Sequence, residues 1–183
     1  MKNNRLTSIL NFGKLSIGNI LKINLMGEQI ENIYNFLQLS VGGASTWQNR
    51  IATAGQPTLA QYPTIATAGY QLVINLALKE SMNAIDNEAA IATNLGIQYI
   101  HIPVLWETPT IENFQEFAQV MNTNLERKIF IHCAANMRVS AFMYLYRQIH
   151  QGVDEATARQ DLVKIWTPNE VWQIYIDRIL AVH

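Results

Sequence analysis

An α/β domain built on a mainly parallel central sheet flanked by helices, with a helical C-terminal end, is what this 183-residue sequence predicts. Three observations predict it. Apolar runs of strand length recur between segments of helical period, the alternation that builds βα units. Two of the runs, QLVINLAL (71–78) and KIFIHC (128–133), are almost continuously apolar, as strands covered on both faces must be. The composition, 49% apolar and 15% charged, supplies a sizeable core for one domain.

The elements follow in chain order. Residues 1–25 carry Lys2, Arg5, Lys14 and Lys22 with no acid and read as a loosely attached arm, with Met26 as an alternative start. A single domain is expected over 26–183. In GEQIENIYNFLQLS (27–40), Ile30, Ile33, Tyr34 and Leu37 recur at helical spacing, which predicts a helix with one buried face. RIATAG (50–55) reads as a short strand, and Thr58 is placed to cap a helix that ends at Gly69. After the 71–78 strand, Asp86 opens a helix closed by Gly96, and IQYIHIPV (97–104) is the next strand. Beyond the loop LWETP, Thr110 caps a helix whose inward face is Ile111, Phe114, Phe117, Ala118 and Met121. The 128–133 strand then runs through AANM into an apolar helix ending near Gly152. Two more helices complete the chain, the last with Pro168 in its first turn. Trp166, Trp172 and Tyr175 fall at helical spacing and read as core or self-association surface.

Charge and composition exclude several classes. The net charge is −1, and residues 26–183 carry nine basic against fourteen acidic side chains, so no basic field draws nucleic acid. No run approaches the ~20 apolar residues that span a bilayer, which argues against a membrane partner. A lone cysteine forms neither an intramolecular disulfide nor a cysteine-rich metal site, and nothing points to an oxidising compartment, so a cytoplasmic location is expected. No glycine-rich nucleotide motif or metal-ligand spacing occurs, and neither a cofactor nor a metal is expected. The oligomeric state is left open.

Ligands of such sheets bind beyond the carboxyl ends of strands. IHCAANMRVS stands out there: Cys133 follows a buried strand and Arg138 opens a helix. Backbone N–H groups of a tight loop at a helix N-terminus form a donor cluster for an oxyanion and favour a thiolate. Arg138 supplies a planar fork that clamps two oxygens. Asn136 is the residue in AANM that best tolerates a left-handed backbone. The competing reading of Cys133 is a buried structural thiol. His101, inside an apolar strand, reads as a satisfied core histidine.

At these residues the chain resembles the protein tyrosine and dual-specificity phosphatase superfamily, and within it a bacterial phosphatase-like group. The matching stretches are TAGQPT (53–58), GYQLVINL (69–76), HIPVLWETPT (101–110) and IHCAANMRVSAFMYLYR (131–147). The resemblance implies a cysteine-phosphatase-like fold and hydrolysis of phosphate monoesters on a phosphorylated small molecule or protein. Cys133 would be the nucleophile and Arg138 the phosphate clamp, with His132 orienting the cysteine. Ala134, Ala135, Asn136 and Met137 would form the cradle. The mechanism calls for an acid on the loop after the 97–104 strand, where Glu107 is the ionisable group, and Trp106 beside it packs over the site or closes the core. Gln56 lies in a motif that the resemblance puts near the anion loop. The loop departs from the superfamily: four residues instead of five separate Cys133 and Arg138, none is glycine, and Val139 stands where a Ser or Thr is usual, with Ser140 one place late. Four residues is the loop length of rhodanese-like sulfurtransferases, so a Cys133 persulfide is one alternative. A catalytically silent anion-binding or protein-binding domain is another.

Overall fold

The computed structural model describes residues 37–38, 50–81 and 83–183. Five strands, β1 (Leu37–Gln38), β2 (Ile51–Ala54), β3 (Leu72–Asn75), β4 (Gln98–His101) and β5 (Ile129–His132), form one sheet in the order β1-β2-β5-β3-β4. β2, β5, β3 and β4 are parallel. The helices are α1 (Tyr62–Thr67), α2 (Glu88–Asn94), α3 (Ile111–Thr123), α4 (Met137–Gln151), α5 (Glu155–Ile165) and α6 (Glu170–Ala181). A 3₁₀ turn, Leu59–Gln61, leads into α1 from a capping box at Thr58. The predicted α/β class with a helical C-terminal end is the observed one.

Two elements differ from the sequence reading. Leu37 and Gln38, placed by their spacing in a helix, instead pair antiparallel with Thr53 and Ala52. The outer edge of β2 would otherwise present bare backbone groups, and a two-residue strand satisfies them. The rest of the 27–40 helix and the 1–25 arm lie outside the described residues. Pro168 stands before α6 rather than in its first turn, because the Asn169 side chain accepts a hydrogen bond from the Trp172 amide at 3.0 Å and is the cap.

The pleat of β5 sorts its side chains. Ile129, Ile131 and Cys133 join the larger core under α3 to α6, whereas Phe130 joins the smaller core with Tyr62, Tyr70, Ala92 and Ile97. Within the larger core, the Phe142 ring of α4 contacts those of Phe114, Phe117, Trp172 and Tyr175 at centroid distances of 5.4 to 6.3 Å. Burial of each ring contributes about 1.5–3 kcal/mol. The Arg147–Asp161 ion pair joins α4 to α5, with the arginine almost fully buried. Trp172 and Tyr175 are therefore core. Among the described residues no helix is long and apolar enough to cross a membrane.

Candidate active site

β5 occupies the middle of the sheet, so its carboxyl end opens between the ends of β2 and β3. The loop after it is stitched to the segment after β2. The Cys133 amide donates to the Ala54 carbonyl at 3.3 Å, and the Gln56 amide donates to the Ala134 carbonyl at 3.1 Å. Gly55 and Ala135 form an antiparallel bridge. Asn136 turns the chain with φ 63° and ψ 0°, the left-handed conformation expected of it. Its side-chain amide donates to the Thr53 hydroxyl at 3.0 Å, so it braces the turn and does not cap α4. The first-turn N–H groups of α4 therefore face the loop without a side-chain cap, the arrangement that favours an oxyanion. Ser140 is committed elsewhere: its hydroxyl donates to the Met137 carbonyl at 2.9 Å and accepts from Trp166 Nε1 at 3.1 Å.

Cys133 is fully buried on the α4 side of the sheet. Arg138 is buried as well, and it turns inward. Its Nε donates to the Val104 carbonyl at 2.9 Å, and its guanidinium carbon lies 5.3 Å from the centroid of the Trp106 ring. The arginine that closes the anion loop thus reaches across β3 to the loop after β4. Trp106 packs between Trp166 and Trp172, both at 5.2 Å, and its carbonyl accepts from Trp172 Nε1 at 3.0 Å. It closes the core under Arg138. Glu107 is exposed and lines a cleft of about 520 Å³ with Pro109 and with Val171, Ile174 and Arg178 of α6. The structure brings Cys133, Ala134, Ala135, Asn136, Met137, Arg138, Trp106 and the Gln56 backbone into one continuous assembly, whereas Glu107 lines the cleft against α6, which none of these residues lines.

Gln56 and His132 face a different partner. The Gln56 side-chain amide donates to Glu88, and His132 Nε2 stands 3.5 Å from Glu88 Oε1. Burial pushes the His132 imidazole down to about 4, with the Glu88 charge opposing part of that shift. At neutral pH His132 is uncharged, so any influence on Cys133 comes from its dipole and packing. His101, as expected, is satisfied: its Nε2 pairs with the Ala77 carbonyl at 2.7 Å.

The sequence reading missed Glu88. An acid at the start of a helix is ordinary, because it complements the helix dipole. The available signal was Asn75, a polar side chain inside an apolar run, which needs a buried partner.

His132 yields a pH prediction. An unfolded histidine titrates near 6.5 and the folded one near 4, so between these values the unfolded chain binds more protons. Stability conferred by the neutral buried ring is complete above about pH 6.5 and falls as pH drops toward 4, by up to about 3 kcal/mol. The imidazole resonances of His132 are expected to titrate below pH 5. A midpoint near 6.5 would contradict the burial argument.

A parallel sheet whose central strand leads through a short loop, from Cys133 to Arg138, into the next helix defines an α/β protein with the fold of the dual-specificity and tyrosine phosphatases. The chain belongs to the family described as DSP-PTPase phosphatase fused to NAD+ kinase, whose model matches residues 31–170. A DUF442 protein of Shewanella putrefaciens CN-32, classed as a candidate phosphatase, superposes with a TM-score of 0.72 and 27% identity, covering 85% of this chain and 97% of that one. The core catalytic domain of the PP-IP phosphatase SIW14 from S. cerevisiae shares the fold, with a TM-score of 0.64 and 12% identity over 79% of this chain and 85% of that one. A beta-lactamase hydrolase-like protein of Xylella fastidiosa strain Temecula1 is 27% identical over 106 residues, which are 56% of this chain and 24% of that protein. The chain spans about a quarter of the length of the curated relatives it matches. The phosphatase family disfavours the rhodanese-like alternative.

Proposed function

We propose that this chain hydrolyses phosphate monoesters through a cysteinyl-phosphate intermediate. The supporting observation is the inward turn of Arg138, which joins the anion loop to the backbone of the loop that carries Glu107. An arginine serving only as a solvated helix-start charge would have no reason to be buried against a carbonyl and an indole. In this reading the amides of residues 134–138 and the Arg138 guanidinium hold the three non-bridging oxygens of the substrate. The Cys133 thiolate attacks phosphorus, the ester P–O bond breaks, and protonated Glu107 gives its proton to the departing oxygen. Water then donates a proton to the Glu107 carboxylate while its oxygen attacks phosphorus. The S–P bond breaks, and inorganic phosphate leaves with the thiolate restored.

The substrate is a phosphorylated small molecule or protein. The direct test is turnover of an aryl phosphate followed by mass spectrometry of acid-quenched protein, which is expected to show one phosphoryl group on Cys133. Phosphate release without a phosphorylated cysteine would overturn the mechanism. Glu107→Gln tests the acid. A positioned proton donor contributes roughly 10²–10⁴-fold, so the variant is expected to lose about 10²-fold in kcat for phenyl phosphate and less for p-nitrophenyl phosphate, whose leaving oxygen needs less help. Equal losses on both esters would remove Glu107 from the acid role.

A further inference from the structure

One buried carboxylate gathers the strand ends beneath the anion loop. Glu88, 6% exposed in the first turn of α2, accepts at Oε1 from the Gln56 side-chain amide and from the Tyr62 hydroxyl at 2.8 Å. At Oε2 it accepts from the Asn75 amide at 2.9 Å and the Tyr99 hydroxyl at 2.7 Å. These four donors fill the lone-pair sites a carboxylate offers. They come from the turn after β2, from α1, from β3 and from β4, and His132 at the end of β5 is the fifth neighbour.

One of these partners holds the anion loop directly and a second braces the segment beside it. The Gln56 backbone amide carries the Ala134 carbonyl, and Asn75, through its own side-chain oxygen, fixes the Ala77 amide at 2.7 Å beside the His132 carbonyl that Leu76 binds. Burying a charge among neutral donors is costly, and an apolar cluster of the same shape would serve stability as well or better.

We propose that Glu88 is a positioning residue that sets the shape of the anion loop by holding Gln56 and Asn75 in register. The proposal deepens the phosphatase reading and rests on it for its kinetic consequence, but its binding consequence can be read without turnover. Glu88→Gln replaces one acceptor oxygen by an NH₂ group, so two of the four donors lose their acceptor.

The variant is expected to bind inorganic phosphate about tenfold more weakly by calorimetry and to lose about 10–100-fold in kcat/KM for an aryl phosphate. Glu88→Asp, which keeps the charge but not the reach, is expected to fall between. Should Glu88→Gln fail to fold, a loss of at least about threefold in phosphate affinity in Glu88→Asp carries the same test. Tyr146→Phe, which removes a hydroxyl bonded to Asn122 far along α4, controls for general loosening and is expected to leave phosphate affinity unchanged. A lowered melting temperature in Glu88→Gln with native phosphate affinity would make the role structural only and overturn the proposal. Phosphate binding by a native chain that turns over no ester would sink the phosphatase reading and leave the Glu88 comparison measurable. Absence of phosphate binding by the native chain would overturn both.

Discussion

Cys133→Ser is expected to abolish aryl-phosphate hydrolysis, lowering kcat/KM by at least about 10⁴-fold, the scale on which loss of a covalent nucleophile acts. The replacement is nearly isosteric in a fully buried position, and the backbone bonds that hold the loop, from Cys133 to Ala54 and from Gln56 to Ala134, do not involve the side chain. The attacking atom is what changes: sulfur is a far stronger nucleophile toward phosphorus than a serine hydroxyl. Binding and chemistry should therefore separate: inorganic phosphate affinity stays within a few-fold of native while turnover disappears. Phosphate release that survives the substitution would exclude a cysteinyl intermediate, and concurrent loss of phosphate binding would point to a collapsed loop.

The parts of this molecule that were legible in the sequence are those set by local pattern. Buried strands announce themselves as apolar runs, and Ile129 to Ile131 could be placed inside the sheet on that ground. Asn136 was legible because a tight loop without glycine needs one residue that accepts positive φ, and asparagine tolerates it best. The last helix starts at Glu170 rather than at Pro168 because Asn169 and Pro168 both signal a helix start, and only the Asn169 side chain makes the capping bond. Leu37 misled because four apolar residues at helical spacing outweigh the demand of a sheet edge that is not visible in the same window. Glu88 and the inward turn of Arg138 were illegible for a common reason. Glu88 is defined by partners on several elements and Arg138 by the loop after β4, neighbourhoods that exist only once the strand order β2-β5-β3-β4 is known.

That strand order also gives the second large effect its basis. Arg138 belongs to the helix after β5, and Val104 to the loop after β4, two strands away. The guanidinium spans the distance with its Nε on the Val104 carbonyl and its carbon near Trp106, and in the proposed mechanism its terminal nitrogens hold the substrate oxyanion. Lysine cannot copy this division of labour. Its ammonium is a single point of charge: placed on Val104 it abandons the oxyanion, and placed on the oxyanion it abandons Val104. Arg138→Lys is therefore expected to raise KM and lower kcat together, with a combined loss of about 10²–10³-fold in kcat/KM, comparable to removal of a preorganised donor from an oxyanion site. Arg138→Met, which keeps apolar contact with Trp106 but carries no charge, should lose more. The melting temperature should fall in Arg138→Met, since the loop after β4 loses its hydrogen bond there. Activity of Arg138→Lys within about fivefold of native would mean that charge alone suffices, and that the anchored fork has no part in transition-state binding.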